Sequence, residues 1–152
     1  MNKEQRQTSK QDARKTLIEI LGGKTPYLLS ILKDQTPYVR ATVQWKDKDV
    51  LELPEELSEE TLTKIKLLEP RALIYFVSED GKAYEKTGIL EEGKWIEGRI
   101  IYCPNKNCVT AQPKEPTRPK FKVVKKDPLI LQCYYCGRYI DHSAIVAQIA
   151  LL

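Results

Sequence analysis

One histidine, one methionine and two phenylalanines are spread over 152 residues. The lone histidine, His142, belongs to no Ser/His/Asp set or Cys/His pair, so nucleophilic and general-base catalysis have no visible carriers. An enzyme is not expected. No apolar run approaches the ~18 residues of a membrane-spanning helix, which excludes a transmembrane helix and argues against a membrane partner. The first residues lack the apolar stretch of a secretory signal, and a cytoplasmic protein is expected. Gly22-Gly23-Lys24-Thr25 imitates the end of a phosphate-binding loop. However, the first glycine is missing at the required spacing, and no strand is expected ahead of it. No internal repeat is present.

Cysteine is scarce too, but its placement is informative. All four cysteines lie in the last third of the chain, as Cys103-Pro104-Asn105-Lys106-Asn107-Cys108 and Cys133-Tyr134-Tyr135-Cys136. A C-x4-C turn, the long span 109–132 and a C-x2-C turn make two knuckles that supply two ligands each. Zinc takes four thiolates at about 2.3 Å in a tetrahedron. Gly137 follows the second pair, where a knuckle often needs positive φ. Disulfides have no oxidising context here, and a redox CxxC needs only one pair, near a βαβ pattern. One structural Zn2+ on Cys103, Cys108, Cys133 and Cys136 is therefore expected. A site closed by four cysteines has no vacant position for catalysis, and His142 is left as a residue beside a helix cap.

Hydrophobic content of 41% supports a core, yet a zinc module of about 50 residues holds together poorly by burial alone. There metal binding becomes folding free energy. The net charge of +4 hides an asymmetry: residues 1–98 hold 16 basic and 18 acidic side chains, residues 99–152 hold 9 and 3. The basic half suits an acidic partner, either a protein surface or nucleic acid. Lys120-Phe121-Lys122 and Lys125-Lys126 interleave charge with one aromatic and could touch nucleic-acid phosphates, but read rather as solvated strand faces or as facing an acidic protein. Tyr134, Tyr135 and Tyr139 read equally as packing over the zinc core and as a contact patch.

Along the chain, residues 1–11 are polar and Gln-rich and read as a flexible tail. Ala13, Leu17, Ile20 and Leu21 recur at helical spacing, predicting a helix over 12–21 that ends at Gly22-Gly23. Thr25-Pro26 opens a second helix through Leu32. Residues 38–45 alternate as a half-buried strand. A polar turn at 46–49 leads into a second strand from Val50, making a hairpin. Ser58 caps a helix with an acidic first turn, and Pro70 ends it. Residues 72–77 predict a buried strand, Glu79 to Lys82 a turn, and 83–88 a strand pairing back. Arg99–Tyr102 is expected to be the first zinc-ribbon strand and 112–119 an extended loop. Residues 121–124 and 129–133 predict paired strands, and Asp141 caps a final helix. The fold class is α+β: a sandwich-like α+β domain over 12–98, then a small β zinc ribbon over 99–152.

The segment from Cys103 to Cys136 carries a more specific likeness. Cys103-Pro104-Asn105-Lys106-Asn107-Cys108-Val109-Thr110 is followed by Glu115-Pro116, Phe121-Lys122-Val123 and Gln132-Cys133-Tyr134-Tyr135-Cys136. This resembles the zinc domain of aspartate carbamoyltransferase regulatory chains over residues 99–142. Leu28 to Leu32, Lys48 to Leu51, Leu57 to Glu60 and Tyr84 to Gly88 resemble landmarks of the family's N-terminal domain. The resemblance implies a non-catalytic subunit of pyrimidine biosynthesis whose zinc domain grips the enzyme's catalytic chain. It also implies self-association through the N-terminal domain. The contact surface would be Asn105, Lys106 and Asn107 with Tyr134 and Tyr135.

The likeness fails at the nucleotide effector site. The family's short acidic and histidine motif is replaced by Leu17 to Gly23, with Glu19 at the acidic position. Its two phosphate-binding lysines fall on Glu52 and Ile89. Glu19, Lys48, Tyr84 and Lys86 are what remains as candidates, and a carboxylate in place of a phosphate-binding lysine is repulsive. Effector binding is expected to be weak or lost. The alternative is a zinc-ribbon adaptor for nucleic acid, a ribosome or a transcription complex.

Overall fold

The computed structural model describes residues 15–21, 40–45, 48–111 and 117–150. They fall into two units: the first takes Met1–Leu62 with Arg71–Thr87, the second Thr63–Pro70 with Gly88–Leu152. The fold is α+β.

The first unit carries β1 (Lys15–Leu21), β2 (Arg40–Trp45), β3 (Lys48–Leu53), β4 (Leu73–Val77) and β5 (Ala83–Glu85) in one sheet, ordered β2-β3-β1-β4-β5. All neighbours run antiparallel. Its buried face holds Thr16, Ile18 and Ile20 from β1, Leu51 and Leu53 from β3, and Ile74 and Phe76 from β4. Register places Ile18 opposite both Leu51 and Ile74, so the centre of the sheet is an aliphatic cross-strand cluster. The buried Thr16 hydroxyl is satisfied: it donates to the Glu55 carbonyl at 2.8 Å and accepts the Leu57 N–H at 3.3 Å.

Helix α1 (Glu59–Leu68) starts where Ser58 caps it. Ser58 Oγ accepts the Thr61 N–H at 3.2 Å, and Glu59 and Glu60 sit in the positive first turn. The division between the units falls inside this helix, after Leu62.

Residues 15–21 are a strand, not the helix expected over 12–21. The spacing of Leu17, Ile20 and Leu21 suits a helix, but Thr16, Ile18 and Ile20 alternate with Lys15, Leu17 and Glu19. The period-two set is the one buried, because pairing with β3 and β4 on both sides outweighs local propensity. A strand therefore does precede Gly22-Gly23-Lys24-Thr25. The position where a phosphate loop needs its first glycine is Ile18, wholly buried. That motif, the helix expected through Leu32, the polar turn at 46–47 and the tail over 1–11 lie outside the described residues.

The hairpin of β2 with β3 forms, with Lys48 and Asp49 inside the strand. The 72–77 strand has alternating rather than continuous burial, so one of its faces is only half-buried. The β4–β5 turn uses Gly81 at φ 87°, with Asp80 accepting from Ser78 and from the Lys82 N–H.

The second unit carries β6 (Trp95–Glu97), β7 (Lys120–Lys126), β8 (Leu129–Cys133) and β9 (Tyr139–Asp141) in an antiparallel sheet of that order, with α2 (His142–Ala150) after β9. Its core gathers Ile96, Phe121, Val123, Leu129, Leu131, Ile140, Ile145 and Ile149. Residues 99–102 are a turn rather than the first ribbon strand. Gly98, at φ 113°, ends β6, and Ile100 and Ile101 are both buried without pairing in a sheet. The edge strand is Trp95–Glu97, ahead of the division expected at 98/99. β9 has no counterpart in the sequence reading. Asp141 caps α2 as expected: its Oδ1 accepts the Ala144 N–H at 3.0 Å. No helix among the described residues is long and apolar enough to cross a membrane.

Candidate metal centre

Two loops of the second unit bring the cysteines together. In the first, the Asn105 carbonyl accepts the Cys108 N–H at 3.0 Å and the Asn105 side chain accepts the Asn107 N–H at 3.0 Å. A 3-10 turn, Val109–Ala111, follows. In the second, β8 delivers Cys133, whose N–H donates to the Arg138 carbonyl at 2.9 Å, while the Gly137 N–H returns to the Cys133 carbonyl at 3.0 Å. Gly137 has φ 78°, so the tight turn needs a residue without Cβ.

Cys103 Sγ lies 3.5 Å from Cys136 Sγ, and Cys108 Sγ lies 3.7 Å from Cys133 Sγ. All four sulfurs lie within 4.8 Å of one another. A disulfide needs about 2.0 Å, and all four cysteines are free. Sulfurs at the corners of a tetrahedron with ~2.3 Å bonds to zinc stand ~3.8 Å apart. The cluster is therefore the right size to hold one zinc ion. Cys103, Cys108 and Cys133 are buried and Cys136 is at the surface.

Burial pushes the Cys103 and Cys133 thiols up. Burial also opposes ionisation of Cys136, but the Arg138 N–H, the Asn105 side chain and the two neighbouring thiols outweigh it, pulling Cys136 down to about 6. Backbone donors point at other sulfurs too: Asn105 at Cys103, and Cys136 and Tyr135 at Cys133. The Thr110 hydroxyl lies 3.2 Å from Cys108 Sγ. Donors aimed at sulfur disperse negative charge when thiolates bind a cation.

A further tie comes from α2. Gln148 Oε1 accepts the Tyr102 N–H at 2.8 Å and Gln148 Nε2 donates to the Tyr102 carbonyl at 2.6 Å. The side-chain amide thus clamps the peptide groups beside Cys103, and no sequence pattern marks it. His142 stands apart from the sulfurs: its Nε2–H faces the carbonyls of Leu67 and Leu68 at 3.1 and 3.0 Å.

Lys106 and Asn107 are exposed and Asn105 is half-buried on the first loop. Tyr134 and Tyr135 are exposed on the second. Trp95, which the sequence reading passed over, stands edge-on to Tyr134 with ring centroids 5.4 Å apart.

The effector candidates do not converge. Glu19 and Lys48 meet at 3.2 Å on the outer face of the five-stranded sheet. Tyr84 is opposite Phe76 in register, on the other face, and Lys86 pairs with Glu59 of α1 at 3.0 Å. Glu52 pairs with Lys15 at 3.2 Å on the same outer face as Glu19. Ile89 is buried. Tyr75 is half-buried on that outer face; its phenol is pushed up by burial and by the carboxylates of Glu19 and Glu85.

Residues 94–146 match the family described as "Aspartate carbamoyltransferase regulatory chain, metal binding domain". Relatives named aspartate carbamoyltransferase regulatory chain share the likeness. One from Thermococcus sibiricus is 33% identical over 132 residues, covering 84% of this chain and 85% of that one. One from Methanocaldococcus jannaschii is 35% identical over 120 residues, covering 75% and 76%. One from Hyperthermus butylicus is 36% identical over 104 residues, 68% of this chain but only 63% of that relative's length. The chain belongs to the aspartate carbamoyltransferase regulatory chain family and carries that family's metal-binding domain.

Proposed function

We propose that this chain is a cytoplasmic, non-catalytic subunit that docks on catalytic chains of aspartate carbamoyltransferase through its zinc unit. Its first unit pairs with a second copy, and nucleotide effectors bind it weakly or not at all. The observation that carries the reading is the four-sulfur cluster, with contacts of 3.5 and 3.7 Å, inside the matched span. Cys103, Cys108, Cys133 and Cys136 would hold one zinc ion. Bound zinc supplies a cross-link between the two loops. The chain's own residues do the rest: Gly137 permits the second turn, Gln148 holds the first loop at Tyr102, Asn105 braces that loop from a half-buried position, and Lys106, Asn107, Tyr134 and Tyr135 stand outward as contact groups.

Loss of effector binding is supported by charge. Lys15 and Lys48, on the outer sheet face, each already meet a carboxylate, Glu52 and Glu19. A triphosphate would have to break those pairs and lie beside both acids, and like charges at close range are costly in a half-buried setting.

The test is co-sedimentation of the zinc-loaded chain with the catalytic chain from the same source, followed by titration with ATP and CTP. Co-migration without a nucleotide response supports both parts. Failure to co-migrate overturns the docking reading, and tight nucleotide binding overturns the loss of the effector site. A nucleic-acid adaptor is the second reading, favoured by 9 basic against 3 acidic side chains in residues 99–152. Binding to nucleic acid with a steep salt dependence distinguishes it, since phosphate contacts release counterions.

A further inference from the structure

We propose that Trp95, Lys120, Lys122 and Tyr134 form the anchor of the docking surface, and that its occupant is a carboxylate-bearing face of the catalytic chain. This rests on the docking reading above and adds to it the residues that supply the affinity and the chemistry they select.

β6 alternates sharply. Ile96 enters the core while Trp95, beside it, is 41% exposed. Register sets Trp95 opposite Lys122 and Glu97 opposite Lys120. The Tyr134 N–H donates to the Lys120 carbonyl at 2.9 Å, which ties the second cysteine loop to β7 and holds Tyr134 edge-on to Trp95 at 81°. Tyr135 stands edge-on to Tyr134 in turn, centroids 5.0 Å apart. Three interlocked rings thus lie exposed on one edge of the zinc unit, an arrangement that a purely solvated surface seldom carries.

The ammonium groups decide what such a surface selects. Lys120 Nζ lies 5.0 Å from the Trp95 ring centroid and 4.6 Å from that of Tyr134. Lys122 Nζ lies 5.7 Å from Trp95. Stacking a nucleobase needs a bare aromatic face, and here lysines lie over the Trp95 and Tyr134 rings. Two cations held by cation–π contact on an apolar floor are instead prepared for carboxylates, because little side-chain freedom remains to be lost. Glu97 reaches only Lys120, at 3.8 Å. Lys122 meets no carboxylate within ion-pair distance among the described residues. Trp and Tyr are the residue types that anchor interface hot spots, and the charge of the lysines beside them is complementary to an acidic partner.

The experiment measures Kd for the purified catalytic chain with the zinc-loaded wild type, Trp95→Ala, and the double variant Lys120→Glu/Lys122→Glu, with zinc content and circular dichroism checked for each. Trp95→Ala is expected to weaken binding by roughly thirtyfold or more, the effect of truncating a hot-spot aromatic. The double reversal is expected to slow association and to reverse its dependence on salt. If Trp95→Ala loses zinc, the double variant, which leaves every ring in place, decides. Variants that keep zinc and bind like wild type overturn this inference and leave the docking reading standing. A wild type that binds no catalytic chain overturns both. An oligo(U) strand held by wild type with a steep salt slope and released by Trp95→Ala assigns the patch to single-stranded nucleic acid and overturns it too.

Discussion

Stripping the metal is the perturbation with the largest expected effect. Structural zinc binds thiolate knuckles with an apparent ~10–16 kcal/mol, and a whole domain is stable by only ~5–15 kcal/mol. In the second unit the cluster ties the loop carrying Cys103 and Cys108 to the end of β8, where Cys133 is opposite the buried Phe121 of β7. Without metal, two thiolates 3.7 Å apart would repel by ~4–5 kcal/mol at an effective dielectric constant of about 20. Burial, with that repulsion added at Cys133, keeps the Cys103 and Cys133 thiols protonated once the metal is gone, and the cross-link is lost. The same protonation gives the pH dependence: zinc must displace protons from thiols whose pKa burial has raised, so zinc is held more weakly as pH falls. Hydrogen exchange with mass readout, before and after chelation, reports the result. Amides of β7 and β8 are expected to lose protection by at least about a thousandfold, the equivalent of ~4 kcal/mol. Amides of β1, β3 and β4, in a unit without cysteine, keep theirs. Unchanged protection in β7 and β8 after complete zinc removal would refute the reasoning.

Other perturbations separate the remaining parts. Gln148→Ala removes both contacts to the Tyr102 peptide groups, each worth ~0.5–1.5 kcal/mol. Zinc release to a chromogenic chelator is expected to quicken by about fivefold to a hundredfold, with secondary structure unchanged. The Asp141 carboxyl is held below the usual range by the Ala144 N–H and the Ser143 hydroxyl. Its contribution is present above its unfolded pKa and is lost as pH falls through the lower folded value. A stability titration should therefore lose a component on acidification that Asp141→Asn, which still caps α2, does not show. Glu52→Lys replaces a carboxylate with a cation on the face holding Lys15 and Lys48. ATP binding measured by calorimetry is expected to strengthen relative to wild type.

The parts legible in the sequence are those fixed by short-range chemistry. Two cysteine knuckles are local turns, so their spacing and Gly137 announced the cluster before any long-range contact was known. The Ser58 and Asp141 caps are equally local. β1 was not legible, because Leu17, Ile20 and Leu21 fit a helix as well as Thr16, Ile18 and Ile20 fit a strand. The choice is made by Leu51 and Ile74, far away in the chain. The same holds for Trp95, whose significance comes from cross-strand register with Lys122 and from Tyr134. Gln148 is hidden for a different reason: an amide that pairs with a backbone segment leaves no pattern in either stretch of sequence.

The most direct measurement of the central claim is the mass, by light scattering, of this chain mixed with the catalytic chain, with zinc bound and with zinc removed. The expected result is a large stoichiometric complex that disappears with the zinc. A zinc-loaded, folded chain that stays separate from the catalytic chain at micromolar concentration would contradict it.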